Sequence, residues 1–181
     1  MDLKQEHEFM HVLNQMDQPD YELYRSLTGM RPPSLIIAPD GHAYLYRWHL
    51  IPRSNQGNCY FHVQCASDPE RPLHDHPYQN TSVILAGGYD EIIDFQPLHF
   101  LTGRITRQLR KGDVVHRQAS EAHRLIMPEG ISYSMSLFTT GPRVREWGFW
   151  TKNGWVNERE MTQMENGQSV IKREYRDEKA D

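Results

Sequence analysis

From residue 34 to residue 151 the sequence is a succession of short runs rich in β-branched and aromatic residues, cut at close intervals by turn residues. The runs fall near 34–38, 43–51, 58–66, 73–86, 90–95, 99–107, 113–116, 122–127, 131–139 and 144–151. Between them stand Pro39-Asp40-Gly41, Ser54-Asn55-Gln56-Gly57, Gly87-Gly88, Gly103, Lys111-Gly112-Asp113, Pro128-Glu129-Gly130 and Gly141-Pro142. Each of these turns favours reversal, through glycine at positive φ or proline at a fixed one. So many short strands at this spacing predict an all-β sandwich or barrel.

The flanks read differently. Phe9, Val12, Leu13 and Met16 follow the i, i+3, i+4, i+7 rule of an amphipathic helix within 3–28. Pro19-Asp20 breaks that segment, and a second helix carrying Tyr24 and Leu27 ends at Gly29. Residues 157–181 are charged and poor in apolar side chains, which predicts a frayed helix or a disordered tail, with Asn166-Gly167 as a turn. The expected organisation is a helical extension over 1–33, a β barrel over 34–156 and a tail over 157–181.

Composition removes several classes of function. The net charge of −4 argues against a nucleic-acid binder that works by bulk charge. Arg104, Arg107, Arg110 and Lys111 read as a solvated strand edge and turn. The longest apolar runs, Leu35 to Ala38 and Val83 to Ala86, are four residues long, against the roughly 20 a spanning helix needs. The first residues lack a signal-peptide layout, so a cytoplasmic protein is expected. Cys59 and Cys65 lie about 20 Å apart on one strand at ~3.3 Å per residue, too far for a disulfide and without the spacing of a cysteine zinc knuckle. They read as two half-buried strand thiols. No phosphate loop, dinucleotide-binding glycine pattern or serine nucleophile elbow is present.

The chain has ten histidines, and the question is whether they form a site. In His74-Asp75-His76, strand alternation sends both imidazoles to one side and Asp75 to the other, where it would fix the strand. Two imidazoles about 7 Å apart at Cα can converge on one ion. His123, at the start of a later strand, supplies a third ligand. His62 shares a face with Tyr60 and Gln64, opposite Cys59, Phe61, Val63 and Cys65. If that face points into the barrel, His62 is a candidate for substrate contact or acid–base work. His116 is similarly ambiguous, with exposure favoured. His49 and His99 read as packing or surface residues, and His7, His11 and His42 lie outside the expected site. Tyr133 alternates with the serines of Ser132, Ser134 and Ser136 and is a candidate phenol donor near the metal. Trp147, Trp150 and Trp155 are expected to pack the N-terminal helices, or a partner chain, against the barrel.

The spacing resembles the two motifs of the cupin superfamily. The first, G-x5-H-x-H-x3,4-E-x6-G, lies over Asp68 to Gly87 or Gly88, with His74 and His76 as its paired histidines. The second, G-x5-P-x-G-x2-H-x3-N, lies over Gly112 to Met127, with His123 in its histidine position. The departures are specific. Asp68 stands for the leading glycine, Asn80 or Thr81 for the glutamate, and Gln118, Ser120 and Met127 for the proline, second glycine and asparagine of the second motif. The strings Leu73-His74-Asp75-His76-Pro77, Leu85-Ala86-Gly87-Gly88-Tyr89 and Thr140 to Trp150 are also similar to small cupin-like proteins of phages and bacteria.

The resemblance implies a double-stranded β-helix, the cupin jelly-roll barrel, with an N-terminal helical extension. It also implies a divalent metal on His74, His76 and His123. Imidazole donors suit iron, zinc, copper and nickel; iron(II) is the first expectation, with zinc, nickel or manganese as alternatives. Thiol dioxygenases are three-histidine cupins, so the resemblance suggests an iron-dependent dioxygenase acting on a small-molecule substrate. Two other readings stay open: a metal-binding cupin that senses or stores a small ligand, and a sugar isomerase or epimerase with His62 or Tyr133 as acid–base group. Small cupins often pair, so a homodimer is expected, with segment 9–27 crossing onto a second subunit. No nucleic-acid or membrane partner is expected.

Overall fold

The computed structural model describes residues 3–38, 41–94, 103–165 and 168–175. Two helices, α1 (Leu3–Asn14) and α2 (Gln18–Thr28), open the chain. The Asp17 side chain caps α2 by accepting from the Asp20 amide. Pro19 therefore sits in the first turn of α2, where its missing N–H costs nothing, and the break falls just before it. Gly29, in the left-handed conformation, ends α2.

Strands follow as β1 (Leu35–Ile37), β2 (Leu45–His49), β3 (Asn58–Gln64), β4 (Leu73–His74), β5 (Asn80–Ala86), β6 (Gly88–Asp94), β7 (Arg104–Arg110), β8 (Val114–Arg117), β9 (Ala122–Ile126), β10 (Ser134–Thr140), β11 (Gly148–Thr151) and β12 (Gly154–Asn157). They build two six-stranded sheets of order β1-β2-β3-β10-β5-β8 and β12-β11-β4-β9-β6-β7, with antiparallel pairing throughout. From β3 to β10 the chain passes between the sheets so that β3-β10-β5-β8 faces β4-β9-β6-β7. That strand order is a jelly roll, the double-stranded β-helix of the cupin fold. His99 and the start of its expected strand lie outside the described residues.

Two expectations are corrected. The run 73–86 is two strands in different sheets. Pro77 cannot donate to a ladder, and the chain crosses between sheets over 75–79. The tail is not a frayed helix throughout. A one-turn helix, α3 (Glu158–Met161), leads into a hairpin of β13 (Thr162–Glu165) and β14 (Gln168–Ile171), anchored by the fully buried Met161. The turn expected at Asn166-Gly167 lies outside the described residues.

The main apolar core is on the outside of the barrel. The outer face of the first sheet presents Tyr46, Trp48, Phe61, Val63 and Met135, and the helices cover it with Phe9, Val12, Leu13 and Tyr24. The Phe9 ring lies 4.7 Å from that of Tyr46 and 5.7 Å from that of Trp48. The apolar face of segment 9–27 is thus consumed within its own chain, which corrects the expectation that it crosses to a second subunit. With Phe61 and Val63 facing the helices, strand alternation sends Tyr60, His62 and Gln64 into the barrel. No helix among the described residues is long and apolar enough to cross a membrane.

The basic stretch on edge strand β7 is neutralised locally. Arg104 faces Asp94, Arg107 bridges Glu91 and Glu121, Arg110 pairs with Asp90, and Lys111 reaches Asp20. Cys59 and Cys65 are free and half-buried. Burial pushes the Cys65 thiol up to about 11.

Candidate metal centre

His74 and His123 stand directly opposite each other on the adjacent strands β4 and β9. His76 follows in the crossing segment and turns back to them. One ligand nitrogen from each of the three falls within 4.8 Å of the others. The ring centroids lie 5.2, 4.9 and 5.0 Å apart, and His76 Nε2 is 2.8 Å from His123 Nε2. The Nδ1 of His74 is buried and has no hydrogen-bond partner among the described residues. Burial, followed by the nearby His123, holds the His74 and His76 side chains well below the ordinary histidine range. Neutral imidazoles with converging lone pairs are the donor set a divalent cation requires.

The site rests on two buried carboxylates. Glu91, fully buried in β6, hydrogen-bonds His123 Nδ1 and both guanidinium nitrogens of Arg117 that face it, while Arg107 adds a contact at 2.6 Å. Burial opposes its ionisation. The hydrogen bond and charge of His123, then the charge of Arg117, outweigh burial and hold the carboxyl well below its usual range. With Nδ1 taken by Glu91, His123 presents Nε2 to the centre. Glu91 was not among the residues singled out from sequence. A signal exists, because Glu91 shares the inward parity of Tyr89 and Ile93 in Gly88–Asp94. A charge on that face needs a partner.

Asp75 is the second. Its Oδ1 accepts from the Gly148 amide at 2.8 Å, and its Oδ2 accepts from Arg145, Trp155 and Trp150 at 2.6, 3.0 and 3.3 Å. It fixes the strand rather than facing the histidines. This corrects the expectation for the tryptophans. Trp150 and Trp155 tie the β11–β12 hairpin to Asp75, and Trp147 lies 6.3 Å from the His74 ring. Trp150 and Trp155 belong to the second sheet and Trp147 immediately precedes it, so none of the three packs the N-terminal helices against the barrel.

Neither candidate for the missing glutamate joins the histidines. Asn80 accepts from Arg117 at 3.2 Å, and Thr81 pairs with the exposed His116 at 2.7 Å. Asp68, in the place of the leading motif glycine, exchanges two bonds of 2.9 Å with Leu125 and so pins β9 two residues after His123. The Gly87-Gly88 turn carries the chain from β5 to β6, where a Cβ at Gly87 would collide with the Tyr133 carbonyl.

The histidines open onto a cavity of about 350 Å³ inside the barrel. His62 lines it, stacked 5.1 Å from Phe138, with its Nε2 accepting from Arg47 Nε at 2.9 Å. Burial, then the charge of Arg47, keeps His62 well below the ordinary histidine range. Tyr133 is elsewhere. Its hydroxyl donates to Asp20 of α2 at 2.8 Å, which puts it on the helix side of the first sheet and corrects the expectation of a phenol near the metal.

No protein-family model matches the sequence, and no curated protein matches it. Solved structures do. The iron(II) form of HppE aligns over 62% of this chain and 57% of its own, at 13% identity and a TM-score of 0.49. The DMSP lyase DddQ from Ruegeria pomeroyi aligns over 60% of this chain and 51% of its own, at 21% identity and 0.45. An uncharacterized conserved protein with a double-stranded β-helix domain from Klebsiella pneumoniae aligns over 63% and 90%, at 15% identity and 0.45. The chain thus spans little more than half the length of the first two. The strand order, rather than these likenesses, identifies the fold.

Proposed function

We propose that this cupin-fold chain is a divalent-metal enzyme acting on a small molecule, and that the metal is iron(II) used for dioxygen chemistry. His74, His76 and His123 would hold the ion. The observation that carries the reading is the convergence of the three imidazoles on a cavity of about 350 Å³, at the lower end of the range for small-molecule sites. When bound there, the metal would supply Lewis acidity and open coordination positions, and as iron(II) a redox partner for dioxygen.

The chain's own residues do the rest. Glu91 holds His123 in one tautomer and orientation, and Arg117 keeps Glu91 ionised. Asp75 holds the segment between His74 and His76 against β11. Phe138, Trp147 and Phe149 line the cavity with apolar surface and limit water around a bound substrate. His62, tethered by Arg47, presents its other edge as a contact for substrate.

The two acid–base candidates for an isomerase or epimerase, His62 and Tyr133, are both poorly placed for that role, and this favours the redox reading. His62 Nε2 is committed to Arg47, and Tyr133 lies on the other side of the sheet. The test is metal content by mass spectrometry of purified protein, followed by oxygen uptake of the iron-loaded form with small thiols and other small chelators. Iron retention with substrate-dependent oxygen consumption is expected. Tight zinc binding with no oxygen uptake under any condition would overturn it.

A further inference from the structure

Two arginines line the cavity without an ion pair to any described carboxylate. Arg47 on β2 makes one side-chain hydrogen bond among the described residues, from Nε to His62, and its guanidinium lies 4.8 Å over the Tyr60 ring. Arg71, just before β4, lies 5.3 Å over the Phe149 ring, and its buried Nε has no hydrogen-bond partner among the described residues. Neither forms an ion pair with a described residue, whereas the third lining arginine, Arg117, is saturated by Glu91. Two carboxylates also line the cavity, and both accept hydrogen bonds from neutral donors rather than from these arginines. Asp68 accepts from the Leu125 amide, and Glu158 accepts from Thr162 and Ser169. Taking two guanidinium groups into a half-buried, aromatic-walled cavity costs solvation that an anion would return.

We infer that the cavity takes a small organic carboxylate, held at its charged end by Arg47 and Arg71 while the rest of the molecule reaches the three histidines. Arg47 and Arg71 line the same cavity as His74, His76 and His123, so an anion held by the arginines shares that cavity with the imidazoles. Guanidinium forks suit a planar carboxylate through two parallel N–H bonds. Tyr44 and Tyr78, which also line the cavity, add hydroxyls that can donate to the same group. This inference names the substrate class for the site proposed above and rests on the same cavity, but not on the metal.

Saturable binding of lactate, succinate and benzoate, each beside its neutral amide, tests it by ligand-detected NMR on the full chain. Inorganic phosphate and glycerol phosphate form a second arm. The expected result is that at least one carboxylate binds and its amide does not. Arg47→Gln and Arg71→Gln should each weaken that binding about tenfold or more, with circular dichroism unchanged. The comparison of acid with amide on the unaltered chain needs no variant, so it decides even where a substitution unfolds the protein. Equal binding of acid and amide, binding by the phosphates alone, or no carboxylate binding would each overturn the inference. Metal content measured on the same samples separates the two readings. Arginine-dependent carboxylate binding by a chain that takes up no metal sustains this inference and removes the metal enzyme. Metal uptake without carboxylate binding does the reverse.

Discussion

Glu91 hydrogen-bonds the Nδ1 of His123, and this one contact links a fully buried carboxylate on β6 to the imidazole that faces His74 and His76. It decides which nitrogen His123 offers. Replacing Glu91→Gln should weaken metal affinity about 10–100-fold, the usual cost of losing such a support. It also leaves Arg117 buried without its counter-charge, so a loss of about 3–5 kcal/mol in stability is expected. Chelator competition and urea unfolding would measure the two effects separately.

The ligand assignment has a direct check. His74→Ala, His76→Ala and His123→Ala should each abolish stoichiometric metal retention, read by mass spectrometry after dialysis. Unchanged metal content in any one of them removes that residue from the site.

Tyr133→Phe should leave metal content and ligand binding as they are. It should cost about 1 kcal/mol of stability through the lost bond to Asp20. Loss of metal or ligand binding in this variant would contradict the placement of Tyr133 on the helix side of the sheet.

His62 makes stability depend on pH. Burial and Arg47 lower its folded pKa well below the ordinary 6.5. Above that value both folded and unfolded chains carry it neutral. Below it the unfolded chain binds a proton that the folded chain refuses, so stability falls as pH falls, by up to about 1.4 kcal/mol per unit for one such group. The metal-free protein should therefore lose melting temperature between pH 7 and pH 5. His62→Gln, which keeps an acceptor for Arg47, should make the decline shallower; an identical decline would show that His62 is not its source.

Asp75→Ala should destabilise the chain by about 3–5 kcal/mol, because one side chain collects Arg145, Gly148, Trp150 and Trp155. Metal retention should fall with it, since Asp75 sits between two ligands. Calorimetry with and without metal would show both.

What the sequence determined by itself is what repeats along the chain or sits at a fixed offset. Alternation and turn residues determine a barrel of short strands. The spacing of Phe9, Val12 and Leu13 determines an amphipathic helix, and the offsets between His74, His76 and His123 determine a convergent triad. Tertiary structure decided everything that depends on which face meets which. The helices cover the face of Phe61 and Val63, so His62 points into the cavity and Tyr133 away from it. Glu91 reads as one acidic residue among several until β6 is laid beside β9. Arg47 on β2 and Arg71 just before β4 are 24 positions apart and line one cavity only because their two sheets face each other. Local pattern encodes the period of an element. Which face of it is dry, and which distant charge it meets, is a property of the packed barrel.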